Sequence, residues 1–113
     1  MTSNEFADQP FALPRMDDKP MSTAQVAQHL EALPGWSYDE DSVSITKRYA
    51  FPDFAEALAF TNQVGALAET LGHHPDITVG WGAASIRLST HDIGGIHLAD
   101  LIIAARIDRI QPS

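Results

Sequence analysis

Residues 53–72 constrain the fold most, because they form a long amphipathic stretch with both a start and a stop signal. Asp53 and Glu56 make a capping box just after Pro52, and Gly72 suits the left-handed conformation that ends a helix. About half of the helical circumference is apolar, through Phe54, Ala57, Leu58, Phe60, Val64, Leu67, Ala68 and Leu71. This pattern predicts one long helix that lies on a sheet.

Two pairs of alternating segments flank this helix and predict two β-hairpins. Their apolar residues are Trp36, Tyr38, Val43, Ile45, Tyr49 and Phe51 before the helix, and Ile77, Val79, Trp81, Ala84, Ile86 and Leu88 after it. A shorter helix begins at the Ser22–Gln25 capping box, and a last helix covers about 96–110. The predicted order is α-β-β-α-β-β-α. The predicted fold class is α+β, with three helices on one face of a four-stranded antiparallel sheet.

Composition excludes several classes of protein. The chain has no cysteine, so thiolate zinc sites, disulfides and cysteine nucleophiles are excluded, and a cytoplasmic location is expected. The net charge of −8 opposes direct nucleic-acid binding, and no apolar stretch is long enough for a membrane span. Residues 1–20 contain three prolines without apolar periodicity, which predicts a flexible N-terminal tail before a single domain at 21–113.

The predicted last helix is apolar on two sides. One side carries Ile96, Ala99, Ile103, Ile107 and Ile110, and the other carries Leu98, Leu101, Ile102 and Ala105. A small monomer is expected to cover only one of these sides. The pattern therefore predicts a homo-oligomer, a dimer or a tetramer, that associates through the C-terminal helix.

Three of the five histidines fall within nineteen residues, next to turn residues rather than inside a helix. Histidine changes protonation near neutral pH, so the cluster indicates an acid/base site. Strand parity places His74 and His91 on one side, and His73 joins them only if residues 72–75 form a loop, which Pro75 favours. Other interpretations are a polar turn at His73–His74 and a three-histidine zinc site, but adjacent histidines diverge, so no metal is predicted.

The spacing of these residues resembles that of the pterin-4a-carbinolamine dehydratases. The matching positions, within thirty-two residues, are Glu69, His73, His74, Pro75, Trp81, His91 and Asp100. The resemblance covers essentially all of the chain after residue 20. One departure is His97, where relatives usually have a threonine that caps the last helix together with the aspartate three residues on.

The resemblance implies that the chain dehydrates 4a-hydroxytetrahydropterin, the product left by aromatic amino acid hydroxylases, to the quinonoid dihydropterin. It implies catalytic roles for His73, His74 and His91, with His73 and His91 as the acid/base pair and His74 holding the pterin. Pro75, Thr90 and Asp92 are expected to help line the substrate pocket, and no cofactor is expected.

Three further residues are expected to support the site: Glu69, Trp81 and Asp100. Glu69 is expected to orient a histidine or to favour its cationic form. The other two have plainer interpretations, because Trp81 also suits the core of a sheet and Asp100 also suits a helix cap. The resemblance brings one alternative function as well. Some relatives are non-catalytic binding proteins, either dimerisation co-activators of a transcription factor or assembly factors for a carbon-fixing enzyme.

Overall fold

A computed structural model of the chain describes residues 1–111 and confirms the predicted fold class. The chain forms α1 (Ser3–Asp8), α2 (Thr23–Leu30), β1 (Ser37–Asp39), β2 (Ser44–Ala50), α3 (Phe54–Leu71), β3 (Asp76–Gly80), β4 (Ala83–Leu88), a 3-10 turn (His91–Ile93) and α4 (Leu98–Ile110). The four strands make one antiparallel sheet in the order β1-β2-β4-β3. Among the described residues, no helix is both long and apolar enough to cross a bilayer.

The predicted helix signals act where the sequence places them. The Ser22 hydroxyl accepts a hydrogen bond from the Gln25 backbone N–H, and the Gln25 side-chain oxygen accepts one from the Ser22 backbone N–H. Asp53 likewise accepts from the backbone N–H of Glu56 at 2.9 Å. Gly72 ends α3 with a φ of 70°, in the left-handed region where a residue with a Cβ is strained. The direction in which the chain leaves α3 is therefore fixed by Gly72.

The sheet register brings two loops to the same end of the sheet. Asp76, the first residue of β3, pairs with Arg87 near the end of β4. The residues before β3 and those after β4 are therefore neighbours in space. On the inner face of the sheet, Ile45, Ile86 and Leu88 are fully buried beneath the helices.

Near the C-terminal end of α4, the Asp108 carboxylate is the centre of a polar network. It accepts hydrogen bonds from Lys47 Nζ at 2.8 Å, from Trp36 Nε1 at 3.1 Å and from the Tyr49 hydroxyl. Burial raises the pKa of Tyr49 far above its ordinary value, and the hydrogen bond to Asp108 acts in the same direction. This network satisfies polar groups on the buried face of β2, which explains why Lys47 shares strand parity with apolar residues.

The N-terminal residues differ from the flexible tail that the sequence predicts. Thr2 and Glu5 form a capping box at the start of α1, whose Phe6 and Ala7 are buried. The Arg106 side chain from α4 donates to the backbone oxygen of Ala7 at 3.0 Å, and the Phe6 ring meets the His29 ring edge-on. Residues 3–8 are therefore an ordered helix packed on α4. Six residues are too few to show a helical repeat, which is why periodicity did not reveal α1.

The second apolar side of α4 is covered within the chain. Residues 99–105 and Ile107 are all buried in the single copy, because α1 packs against α4 on one side while the sheet and α3 pack on the other. The uncovered helix face that predicted association through the C-terminal helix is therefore absent. The oligomeric state stays a prediction that no longer rests on α4.

Candidate active site

Three histidines line one cavity at the end of the sheet. Residues 72–75 form a loop between α3 and β3, as Pro75 favoured, and the 3-10 turn follows β4. Between them lies an open cavity of about 420 Å³, lined by Leu13, Pro14, Gly72, His73, His74, Ser89, Thr90, His91 and Asp92. The structure thus brings together His73, His74 and His91, as the sequence predicts, with Thr90 and Asp92 beside them.

The Asp100 carboxylate of α4 contacts the ring of His73. The carboxylate is fully buried, and Oδ1 lies 2.8 Å from Nε2 of His73, whose side chain is 12 % exposed. Oδ2 accepts from the Thr90 hydroxyl at 2.8 Å and from the His97 backbone N–H at 2.9 Å. With the Asp100 carboxylate ionised, His73 Nε2–H donates this hydrogen bond, since a carboxylate anion only accepts. This contact holds the His73 ring in one orientation at the wall of the cavity.

The start of α4 is well capped despite the histidine at position 97. His97 Nδ1 accepts from the Ala99 backbone N–H at 3.0 Å, and Asp100 completes the capping box. Asp100 therefore caps α4 and also contacts His73.

The other two histidines are more open. His74 Nε2 lies 3.1 Å from a carboxylate oxygen of Glu69, on the last turn of α3, and both side chains are more than half exposed. His91 is exposed at the first position of the 3-10 turn. Gly94 closes that turn with a φ of 72°, and Thr90 bridges back to Gly95. The turn therefore presents His91 and Asp92 at the cavity while Thr90 stays buried.

Four predicted site residues lie outside the cavity lining. Glu69 and Asp100 do not line it but contact His74 and His73. Pro75 shapes the loop but does not line the cavity. Trp81 lies in the β3–β4 turn, at the far end of β3 from His74, and is 76 % exposed. It is therefore neither a support of the cavity nor a core residue. Gly82 lies in the same turn with a left-handed φ of 84°.

The cavity also includes residues that sequence reasoning missed. Leu13 and Pro14 come from the N-terminal segment, which was predicted to be a tail. Asp18 of the same segment lies 2.9 Å from His97 Nε2. A hydrogen bond from the Arg15 backbone N–H holds the pKa of Asp18 below its ordinary value, and His97 lowers it further. No local pattern in the sequence indicates that this segment folds back.

The donor set of the site suits proton transfer. Within residues 1–111, no group of three or more His, Asp or Glu side chains is arranged to hold a metal ion. What the cavity offers instead is one histidine oriented by a buried carboxylate, two open histidines and a hydroxyl-bearing turn. Fold and site together define a small α+β domain with a histidine-lined pocket.

Comparison with known proteins identifies the family. The family model described as pterin 4 alpha carbinolamine dehydratase matches residues 19–110, so the chain belongs to this family. A relative from Halorhodospira halophila, provisionally named a pterin-4-alpha-carbinolamine dehydratase, is 44 % identical over 80 % of this chain and 84 % of its own length. One from Aromatoleum aromaticum with the same provisional name is 40 % identical over 88 % of each chain.

The fold is also found among solved structures. The transcriptional coactivator/pterin dehydratase from Brucella melitensis superposes with a TM-score of 0.76 at 28 % identity, covering 81 % of this chain and 98 % of its own. A pterin dehydratase-like protein described as a RuBisCO assembly factor in the alpha-carboxysome gives a TM-score of 0.60 at 31 % identity. That match covers 70 % of this chain and 92 % of the other.

Proposed function

We propose that this protein dehydrates 4a-hydroxytetrahydropterins to quinonoid dihydropterins. The observation that carries the proposal is the convergence of His73, His74 and His91 on one cavity in a member of the pterin carbinolamine dehydratase family. A volume of about 420 Å³ is within the range of small-molecule sites and has room for a bicyclic ring system. In this proposal the reaction recycles the pterin cofactor of aromatic amino acid hydroxylases, in the cytoplasm.

The reaction is an elimination of water that needs two proton transfers. The bond between N5 and its hydrogen breaks, the C4a–oxygen bond breaks, and a double bond forms between C4a and N5. One group must protonate the departing hydroxyl, and another must accept the N5 proton. Two imidazoles suit these tasks near neutral pH, since general acid/base groups work best near the operating pH.

His73 and His91 are the proposed acid/base pair, and His74 is the proposed ligand of the ring. The buried Asp100 carboxylate supports His73 as a proton carrier, because it fixes the ring and compensates an imidazolium charge at 2.8 Å. His91 lines the same cavity from the other loop and is exposed, so a second imidazole is accessible to a bound substrate. Thr90 and Asp92 complete the proposed binding surface. The proposed steps use these side chains alone.

A dehydration assay tests this proposal. An aromatic amino acid hydroxylase generates 4a-hydroxytetrahydropterin in situ, and its loss is followed by ultraviolet absorbance. We expect the wild-type protein to accelerate the loss and the His73→Ala/His91→Ala double variant to have none of this activity, because positioned proton transfer contributes about 10²–10⁴-fold. His29→Gln is a matched control, since His29 lies on α2, away from the cavity. A fully active double variant would refute the acid/base assignment.

A second candidate function is the binding of a partner protein. Of the solved structures with this fold, one is described as a transcriptional coactivator/pterin dehydratase and another as a RuBisCO assembly factor. Such a role would not require the cavity histidines, whereas dehydration would. If the wild-type protein fails to accelerate dehydration while the fold is intact, the binding function replaces the enzymatic one.

A further inference from the structure

The N-terminal segment, residues 9–18, is fixed at both of its ends. At the first end, Arg106 Nη2 donates to the backbone oxygen of Gln9 at 2.8 Å, and Phe11 packs against the core. At the other end, the Asp18 carboxylate meets His97 Nε2 at 2.9 Å. Just beyond it, the Met21 backbone N–H donates to the Ile96 oxygen at 2.9 Å. The segment is therefore held across the surface by contacts to α4 and to residues 96–97, which immediately precede α4.

The middle of this segment forms a wall of the histidine cavity. Leu13 and Pro14 both line it, opposite a set of otherwise polar side chains. Leu13 approaches Gly72 closely, since a Cβ built on Gly72 would lie 3.9 Å from Leu13 Cδ2. Leu13 is nevertheless 55 % exposed, although both ends of its segment are tied down. An apolar side chain is thus held open to the cavity.

We propose that Leu13 and Pro14 are the apolar surface against which the flat ring of the substrate packs, with Leu13 as a positioning residue that sets affinity. This inference rests on the proposed function for the identity of the ligand, a pterin. Histidine, threonine and aspartate side chains bind the polar edge of such a ring but leave its apolar face in water. Leu13 and Pro14 supply the missing contact. Both precede residue 19, where the match to the family model begins, so the family pattern does not assign them.

Contact with an apolar wall acts equally on the bound substrate and on the transition state. Loss of such uniform binding raises KM and leaves kcat unchanged. A Leu13→Ala substitution removes part of one half-exposed side chain, so we expect KM to rise about five- to tenfold, given the free energy of burying a few methylene groups. Leu13→Met keeps the apolar volume and should restore most of the affinity.

Two measurements on the full chain test the proposal. The first is KM and kcat in the dehydration assay, and the second is the Kd of 7,8-dihydrobiopterin by isothermal titration calorimetry. The matched control is Met16→Ala, because Met16 lies in the same segment, is 79 % exposed and does not line the cavity. We expect Leu13→Ala to raise both KM and Kd about five- to tenfold with kcat within about twofold, and Met16→Ala to change neither.

The possible outcomes separate this proposal from the proposed function. An active wild type whose KM and Kd are unchanged in Leu13→Ala overturns the role of Leu13 alone. A wild type that binds dihydrobiopterin more tightly than Leu13→Ala, yet does not accelerate dehydration, supports the role of Leu13 and refutes the enzymatic function. A fall in kcat without a change in KM also overturns the proposal, since it would indicate misplaced histidines rather than a lost contact.

Discussion

Two carboxylates on α4 allow a paired test of how the site is built. Asp100 lies beneath the cavity and Asp108 lies two turns further along, and each accepts hydrogen bonds from three groups. Substitution by asparagine keeps the shape of each side chain but removes its charge and turns one oxygen into a donor. The structure predicts that Asp108→Asn loses more stability than Asp100→Asn, and that Asp100→Asn loses more activity.

In Asp100→Asn, the amide oxygen can keep the bonds from Thr90 and from the His97 backbone N–H. The amide nitrogen then faces Nε2 of His73, which must lose its proton to accept this bond. Only one charge-assisted contact is lost, so we expect the free energy of unfolding to fall by about 1–3 kcal/mol. Because His73 is held in the wrong tautomer and its imidazolium has no counter-charge, kcat should fall about 10²-fold or more, within the range of acid/base catalysis.

In Asp108→Asn, the amide must either oppose the Trp36 N–H or give up the bonds from Lys47 and Tyr49. The carboxylate opposite the 7 % exposed Lys47 ammonium is also neutralised. Disruption of a buried ion pair is strongly destabilising, and we expect roughly 2–4 kcal/mol here, since Lys47 keeps its bond to the Pro34 oxygen. Activity of the folded protein should stay within about twofold of wild type, because this network lies away from the cavity.

Urea unfolding and the dehydration assay on both variants provide the test. Activity is measured at a temperature and pH where each variant is folded, as judged by circular dichroism. Equal kcat in wild type and Asp100→Asn would refute the argument that Asp100 orients His73. A large loss of kcat in Asp108→Asn would refute the separation of the two networks.

Two further predictions concern stability. The pKa of Tyr49 is raised in the folded state, so a tyrosine that ionises near 10.0 when unfolded stays protonated when folded. The contribution of Tyr49 to stability is therefore complete below this pH and falls as pH rises above it. In urea unfolding between about pH 9 and 11, the free energy of unfolding should fall less in Tyr49→Phe than in wild type. An equal fall in both proteins would contradict the Tyr49 assignment. Phe6→Ala should lower the free energy of unfolding by about 2–4 kcal/mol, because Phe6 is 1 % exposed and packs in the core. A loss below about 0.5 kcal/mol would show that α1 is not packed on α4.

Local signals predicted the fold well because each element carries its own start or stop. The Ser22 and Asp53 caps and the left-handed Gly72 fix helix ends through contacts within a few residues, and period-two alternation marks β2 and β4. The same kind of signal was present at Thr2 and Glu5, a capping box that indicates α1. It was outweighed by the three prolines that follow.

The candidate site was predictable only in part, because its walls come from three separate regions. The histidines share a cavity since Pro75 keeps residues 72–75 out of β3 and the sheet register sets that loop beside the turn after β4. Those features can be read from spacing. The position of Leu13 depends on long-range contacts, through Arg106 and His97, that no short window of sequence contains. The error about α4 has the same origin, since its cover comes from α1.

The most direct test of the central claim uses the five histidines as internal reporters. The protein is labelled with nitrogen-15 in its imidazole rings, the five rings are assigned by single substitutions, and 7,8-dihydrobiopterin is added while nuclear magnetic resonance spectra are recorded. The ring signals of His73, His74 and His91 should shift together with one saturable binding curve, while those of His29 and His97, which do not line the cavity, should stay in place. Shifts confined to His29 and His97, or none in the cavity histidines at saturating pterin, would contradict a histidine-lined pterin site.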